Sequence, residues 1–236
     1  EPKAARSASR SSANARAAPY RARSTQREDA KRIHRQRLQA QINQRKSMRQ
    51  ARIDREFKFK QAHPELEKAV MSSNVEALRA FIRSHPVGEL NAYIRDPEFS
   101  EYYISVLTVA TGGLAAEIEA LPAGNAQILK ILLDAGANPN ILEVWIANFF
   151  PQSSYYHSSD GDTPIVYTND MQMLQMLVDA GADVNRERYQ DGWRPVMNQN
   201  NPEKTSFLVQ NGADINAQDD KGETALIISS SWGRLE

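Results

Sequence analysis

The chain has 236 residues, 41% of them hydrophobic, enough for one large or two small domains with a packed core. It contains no cysteine, which removes disulfide frameworks, thiolate zinc sites and cysteine nucleophiles, and it has no run of about 18 apolar residues that would make a membrane-spanning helix. The zero net charge is the sum of opposed parts: residues 1–60 hold 18 Lys and Arg against 5 Asp and Glu, residues 61–236 hold 11 against 24, so a basic arm precedes an acidic body.

The chain starts at Glu1 instead of Met, which points to sequence missing upstream, either a removed signal or an omitted part. A soluble, cytoplasmic protein is the favoured expectation. A periplasmic or secreted one stays open, and the compartment itself is not legible.

Residues 1–27 are mostly Ala, Ser and Arg, with Tyr20 as the only large hydrophobic group. Such a segment cannot bury enough apolar surface to offset the roughly 1–2 kcal/mol per residue that ordering its backbone costs, so it reads as a disordered basic leader. Residues 28–62 form a basic helix and linker, because from Glu28 to Gln61 there is no Gly or Pro and good helix formers dominate. The apolar residues Ile33, Leu38, Ile42, Met48, Ile53 and Phe57 recur every 4 to 6 positions, a drifting stripe and not a heptad seam. Arg32, Arg35, Arg37, Arg45, Lys46, Arg49 and Arg52 are the candidate contacts to a polyanion, either nucleic acid or an anionic surface. The competing reading is a solvated linker or an arm lying on the acidic body. The lack of interleaved aromatics and of a base-reading motif favours that second reading.

Residues 63–236 contain a repeat. Leu132–Asn140 (LLDAGANPN), Leu177–Asn185 (LVDAGADVN) and Leu208–Asn216 (LVQNGADIN) align without gaps, and their glycines, Gly136, Gly181 and Gly212, lie 45 and 31 residues apart. A second marker accompanies them: Asp160–Ile165, Asp191–Val196 and Asp220–Leu226, whose glycines Gly161, Gly192 and Gly222 are 31 and 30 apart. The first marker is a helix end capped by glycine in a left-handed conformation. The second is a tight turn, followed in the first case by Thr-Pro at a helix start. Together they predict turn, helix, helix, turn.

This pair of motifs resembles the ankyrin repeat family, whose unit of about 33 residues is a β-turn followed by two antiparallel helices. The resemblance implies an all-α fold, an α-solenoid of about five stacked units with the last truncated. In the last unit Leu226 and Ile227 fall in the TPLH region and Gly233 at the inter-helix glycine. Leu66, Ala69, Val70, Val75, Leu78, Phe81 and Ile82 fit an earlier helix pair between Pro64 and His85. Val106–Thr111 with Ala126–Ala135 fits another, with extra residues between Gly112 and Gly124. The units starting at Thr163 and Arg194 are about three residues short of the family pattern, which predicts stunted first helices. Asn198, Asn200, Asn201 and Pro202 stand where small apolar residues are expected. The stop at Glu236, after a first helix, leads to the expectation that the array continues or that the last helix frays there.

No catalytic constellation is found, and neither a metal nor a cofactor is expected. The four histidines, His34, His63, His85 and His157, are far apart, with His63 and His85 at helix-cap positions. Asp160-Gly-Asp162 and Asp219–Gly222 do not continue into a calcium loop and coincide with the repeat turn. Gly112-Gly113 is not a phosphate loop.

The stretch 141–159 departs most from the repeat. Its aromatics, Trp145, Phe149, Phe150, Tyr155 and Tyr156, are the candidate partner-binding residues. Trp145, Phe149 and Phe150 can also fold back over the stack, so Tyr155 and Tyr156 are the better choices for exposure. The expected function is a non-enzymatic scaffold or adaptor that binds another protein, its acidic body suited to a basic partner; the oligomeric state is unknown. The alternatives are a nucleic-acid-associated protein acting through its arm, and an accessory module of a longer enzyme.

Overall fold

The computed structural model describes residues 27–48, 51, 60–95, 102–112, 124–142, 144–145, 162–168, 170–188, 191–198 and 201–231. The chain divides into two units, Glu1–Arg52 and Ile53–Glu236. In the first, residues 27–48 form helix α1, exposed along its length apart from a half-buried Ile42. Most of the leader expected to be disordered, residues 1–26, and the helical expectation for 52–59 lie outside the described residues.

The second unit is a series of helical hairpins. Helices α2 (Pro64–Met71) and α3 (Val75–Ser84) make the first, α4 (Val106–Thr111) and α5 (Ala126–Asp134) the second, α6 (Pro164–Tyr167) and α7 (Met171–Asp179) the third. In the fourth a 3-10 turn, Pro195–Asn198, precedes α8 (Pro202–Gln210), and α9 (Ala225–Ser231) follows. The two first helices of stunted length are thus a single α-turn and a 3-10 turn. First elements touch in succession, α2 to α4 to α6 to the 3-10 turn to α9, and second helices likewise from α3 to α5 to α7. The core runs between these rows through Leu66, Leu78, Leu107, Leu129, Leu132, Ile165, Leu174, Leu177 and Leu208, each at most 2% exposed.

Polar caps start each second helix. The side chains of Asn74, Asn125, Asp170 and Asn201 accept from backbone N–H groups in the first turns of α3, α5, α7 and α8. This explains Asn201 and Pro202, which depart from the apolar pattern: Asn201 is a cap and Pro202 the first helical residue.

The ends of α5, α7 and α8 repeat one geometry. Gly136, Gly181 and Gly212 have φ of 91, 92 and 91°. The N–H of each glycine donates to a carbonyl three residues back, and the N–H of the next residue, Ala137, Ala182 or Ala213, to one five residues back. This paired closure satisfies helix-end carbonyls and needs a residue that tolerates positive φ.

From these corners a relay of side-chain to backbone hydrogen bonds crosses the hairpins. Asn91 Oδ1 accepts from Asn138 N (2.7 Å) and Asn138 Oδ1 from Asn140 N (3.0 Å). Asn140 then accepts from Asp183 N (2.7 Å) and donates to Gly181 O (2.9 Å). Asp183 accepts from Asn185 N (2.9 Å), and Asn185 accepts from Asp214 N (2.8 Å) and donates to Gly212 O (2.7 Å).

A small sheet accompanies the helices. Strands β1 (Tyr93–Arg95) and β2 (Tyr102–Ser105) pair antiparallel with Ile94 opposite Ile104, and β3 (Val144–Trp145) adds to β2 with Tyr102 opposite Trp145. Tyr93, Ile94 and Ile104 are buried, and Tyr93 donates its hydroxyl to Leu142 O at 2.7 Å. The sheet adds to a mostly helical body. Its strands are too short to show a clear alternating pattern in the sequence.

Asn185→Ala removes both bonds to the next corner and leaves Gly212 O and Asp214 N without them. It is expected to lower stability by about 1–2 kcal/mol in urea unfolding. Asn216→Ala, at a position with no cross-corner bond among the described residues, should stay within about 0.5 kcal/mol.

Candidate partner-binding surface

The turns that carry the second marker hold one another. Arg188, 5% exposed, ion-pairs with Asp162 (3.5 Å) and Asp191 (2.5 Å), so it spans two successive turns. Burial alone would lower its pKa, but the hydrogen bonds it donates to Asp191 and the charges of Asp162 and Asp191 outweigh that and raise it. The guanidinium also lies 4.7 Å from the centre of the Trp193 ring. Trp193 in turn donates Nε1–H to Asp219 Oδ2 at 3.3 Å, and Asp220 N donates to Asp191 O at 2.8 Å. Asp219 Oδ1 meanwhile accepts from Lys221 N and Glu223 N, both at 2.8 Å. Asp162 and Asp219 are therefore engaged in turn-to-turn contacts.

Among the candidate partner-binding residues, Trp145 has its backbone in β3. Phe149, Phe150, Tyr155 and Tyr156 lie outside the described residues, as do His157, Asp160 and Gly161. On the arm, Arg32, Arg35, Arg37, Arg45 and Lys46 are exposed on α1, and Arg49 and Arg52 lie outside the described residues. At 3.6 residues per turn, Arg32, Arg35 and Lys46 share one face of α1, with Arg37 and Arg45 opposite. The charge surrounds this helix and does not form a single stripe. Arg32 also pairs with Asp29 at 3.2 Å.

Exposed apolar residues gather near the last described hairpin. Leu226 and Ile227 on α9 are 69% and 47% exposed, and Ile215 at the corner is 42% exposed where its counterpart Val184 is buried at 7%. Leu226 and Ile227 fall inside the repeat pattern, and their exposure departs from it, because periodicity marks a core position without showing what covers it. Gly233 lies outside the described residues.

Lys204 is another residue the sequence reading passed over. Eight positions before the corner glycine stand Ile128, Met173 and, in the fourth hairpin, Lys204. All three are buried, Lys204 at 1% exposure, with its Nζ donating to Val166 O at 2.9 Å. Burial pushes its pKa down from 10.5 to about 8. Comparing this register position across the repeats would have found it.

Residues 196–236 match a family model described as ankyrin repeats (many copies). No curated protein matches the chain.

The Lys204 ammonium destabilises the folded state in full below pH 8, where folded and unfolded chains both carry the proton. Between pH 8 and 10.5 the folded lysine loses its proton while the unfolded one keeps it, so stability rises with pH across that window. The expected gain is up to about 3 kcal/mol. Urea unfolding at successive pH values should show it in the wild type and a much smaller gain in Lys204→Met. Equal profiles would contradict the assignment.

Proposed function

We propose that residues 63–236, of which 196–236 match the ankyrin-repeat model, form an ankyrin-type solenoid that acts as a scaffold or adaptor for another protein. Repeats of this family are generally protein–protein interaction modules. The observation that carries the reading is the locked row of turns and corners, with Arg188, Asn140 and Asn185 tying successive hairpins together. A support held this way can present side chains at fixed spacing, which lowers the ordering cost of binding. The excess of 24 acidic over 11 basic residues in 61–236 favours a basic partner. The contact surface we assign comprises Trp145, Phe149, Phe150, Tyr155 and Tyr156 with the neighbouring turns, and we assign the chain no reaction of its own.

The charge of residues 1–60 supports a second reading, in which the arm binds nucleic acid and the repeats recruit. Both are tested by affinity capture with the full chain, a chain lacking residues 1–60, and a Trp145→Ala, Tyr155→Ala, Tyr156→Ala triple variant. The scaffold reading expects capture to survive loss of the arm and to weaken about tenfold or more in the triple variant. Capture of nucleic acid that vanishes with the arm and falls steeply with salt selects the second reading.

A further inference from the structure

The fold brings together two of the histidines that are far apart in sequence. His63 is the N-cap of α2 and His85 the C-cap of α3, and their ring centres are 5.1 Å apart. Glu65, in the first turn of α2, joins them: one donor atom from each of His63, Glu65 and His85 lies within 4.8 Å of the others. We propose that these three side chains form a binding site for a divalent transition-metal ion of the zinc class.

The donor set supports this choice. Two imidazoles and a carboxylate, with no thiolate, suit zinc and its neighbours better than calcium or magnesium, which take oxygen ligands. His85 is already oriented for the task. Its Nδ1 lies 3.1 Å from Phe81 O, a pure acceptor, and 2.9 Å from Ser84 Oγ, whose own hydrogen can go to the Phe81 or Ala80 carbonyl. The proton therefore sits on Nδ1 and the lone pair on Nε2, the tautomer that a backbone-anchored metal ligand uses. Its ring is stacked on Phe81 at 4.0 Å and 9°, which fixes the plane.

The other two donors can adjust. His63 and Glu65 are exposed, and the N–H of Glu65 reaches His63 Nδ1 only at 3.4 Å, a long contact that is cheaply surrendered. Metal–nitrogen bonds of about 2.0–2.1 Å place tetrahedral donors about 3.3 Å apart, so side-chain rotation has to close roughly an ångström or more. Three protein ligands leave a position for water. The exposure of His63 and Glu65 leaves the site open to solvent, and a groove of about 460 Å³ lies against His63. The C-terminal end of α3 favours a cation, and Glu65 and Glu67 offset the opposing N-terminal end of α2.

The site would bind the start of α2 to the end of α3. This hairpin is followed by the 3-10 turn Val87–Glu89 in place of the left-handed glycine corner of the next three. A metal bridge there would add to the backbone hydrogen bonds His85 N to Phe81 O and Glu89 N to Pro86 O.

The test is calorimetric titration of the full chain with Zn²⁺, repeated with His63→Gln, His85→Gln, Glu65→Gln and a His34→Gln, His157→Gln double variant. The expected result is one ion per chain, with affinity reduced about tenfold or more in the three site variants and unchanged in the double variant. Zn²⁺ should also raise the Tm of the wild type and not that of His63→Gln, an exposed substitution that leaves the Phe81 stack in place. The absence of one-to-one binding, or binding unaffected by both His63→Gln and Glu65→Gln, overturns the proposal.

Discussion

The second, third and fourth hairpins depend on a peptide corner that glycine enters without strain. Once Gly136, Gly181 and Gly212 take φ near 91°, the chain leaves its helix and enters a turn closed by Ile141 N to Asn138 O, Arg186 N to Asp183 O and Ala217 N to Asp214 O. Asn138, Asp183 and Asp214 can then each accept from the N–H two residues on. Asn140 and Asn185 reach across to the following corner. Each bond is worth only about 1 kcal/mol net, but every link ends where the next begins. The relay sets the spacing of the hairpins, and the apolar rows between them fill the space so defined.

The third and fourth hairpins are where this regularity is weakest. Their first elements are four-residue turns, α6 and Pro195–Asn198. The buried hydroxyls of Thr163 and Thr168 find no partner among the described residues, and Lys204 takes a place held elsewhere by Ile128 and Met173. The turn contacts are concentrated in the same region: Arg188 holds Asp162 and Asp191, and Trp193 reaches Asp219. Short helices with polar groups in their core are thus tied together from the outside.

The features legible in the sequence are those encoded within a few neighbouring residues. Glycine corners and shortened first helices follow from local spacing, and the bounds of α2, α3, α4 and α5 agree with the apolar pattern. What could not be read depends on residues that meet only after the helices pack. Arg188 and Asp162 are 26 positions apart, His63 and His85 are 22 apart, and β1 and β2 are short segments whose pairing supplies most of their stability. Lys204 is the intermediate case, visible in register yet read as one polar residue in an irregular repeat. The aromatic surface, Trp145 to Tyr156, rests on its departure from the repeat and on its residue types, and all of it but the backbone of Trp145 and of residue 144 beside it lies outside the described residues.

The reach of the corner asparagines has a consequence for how such a chain can change. Asn140 contacts a residue 43 positions ahead, and Asn185 makes the equivalent contact at 29. The same bridge therefore tolerates very different contour lengths between its ends. Closing the longer interval costs only about 0.3 kcal/mol more in loop entropy, less than a single hydrogen bond. Insertions between corners are thus nearly invisible to the thermodynamics of the array, and that is where new surface can be added without shifting the phase of the units on either side.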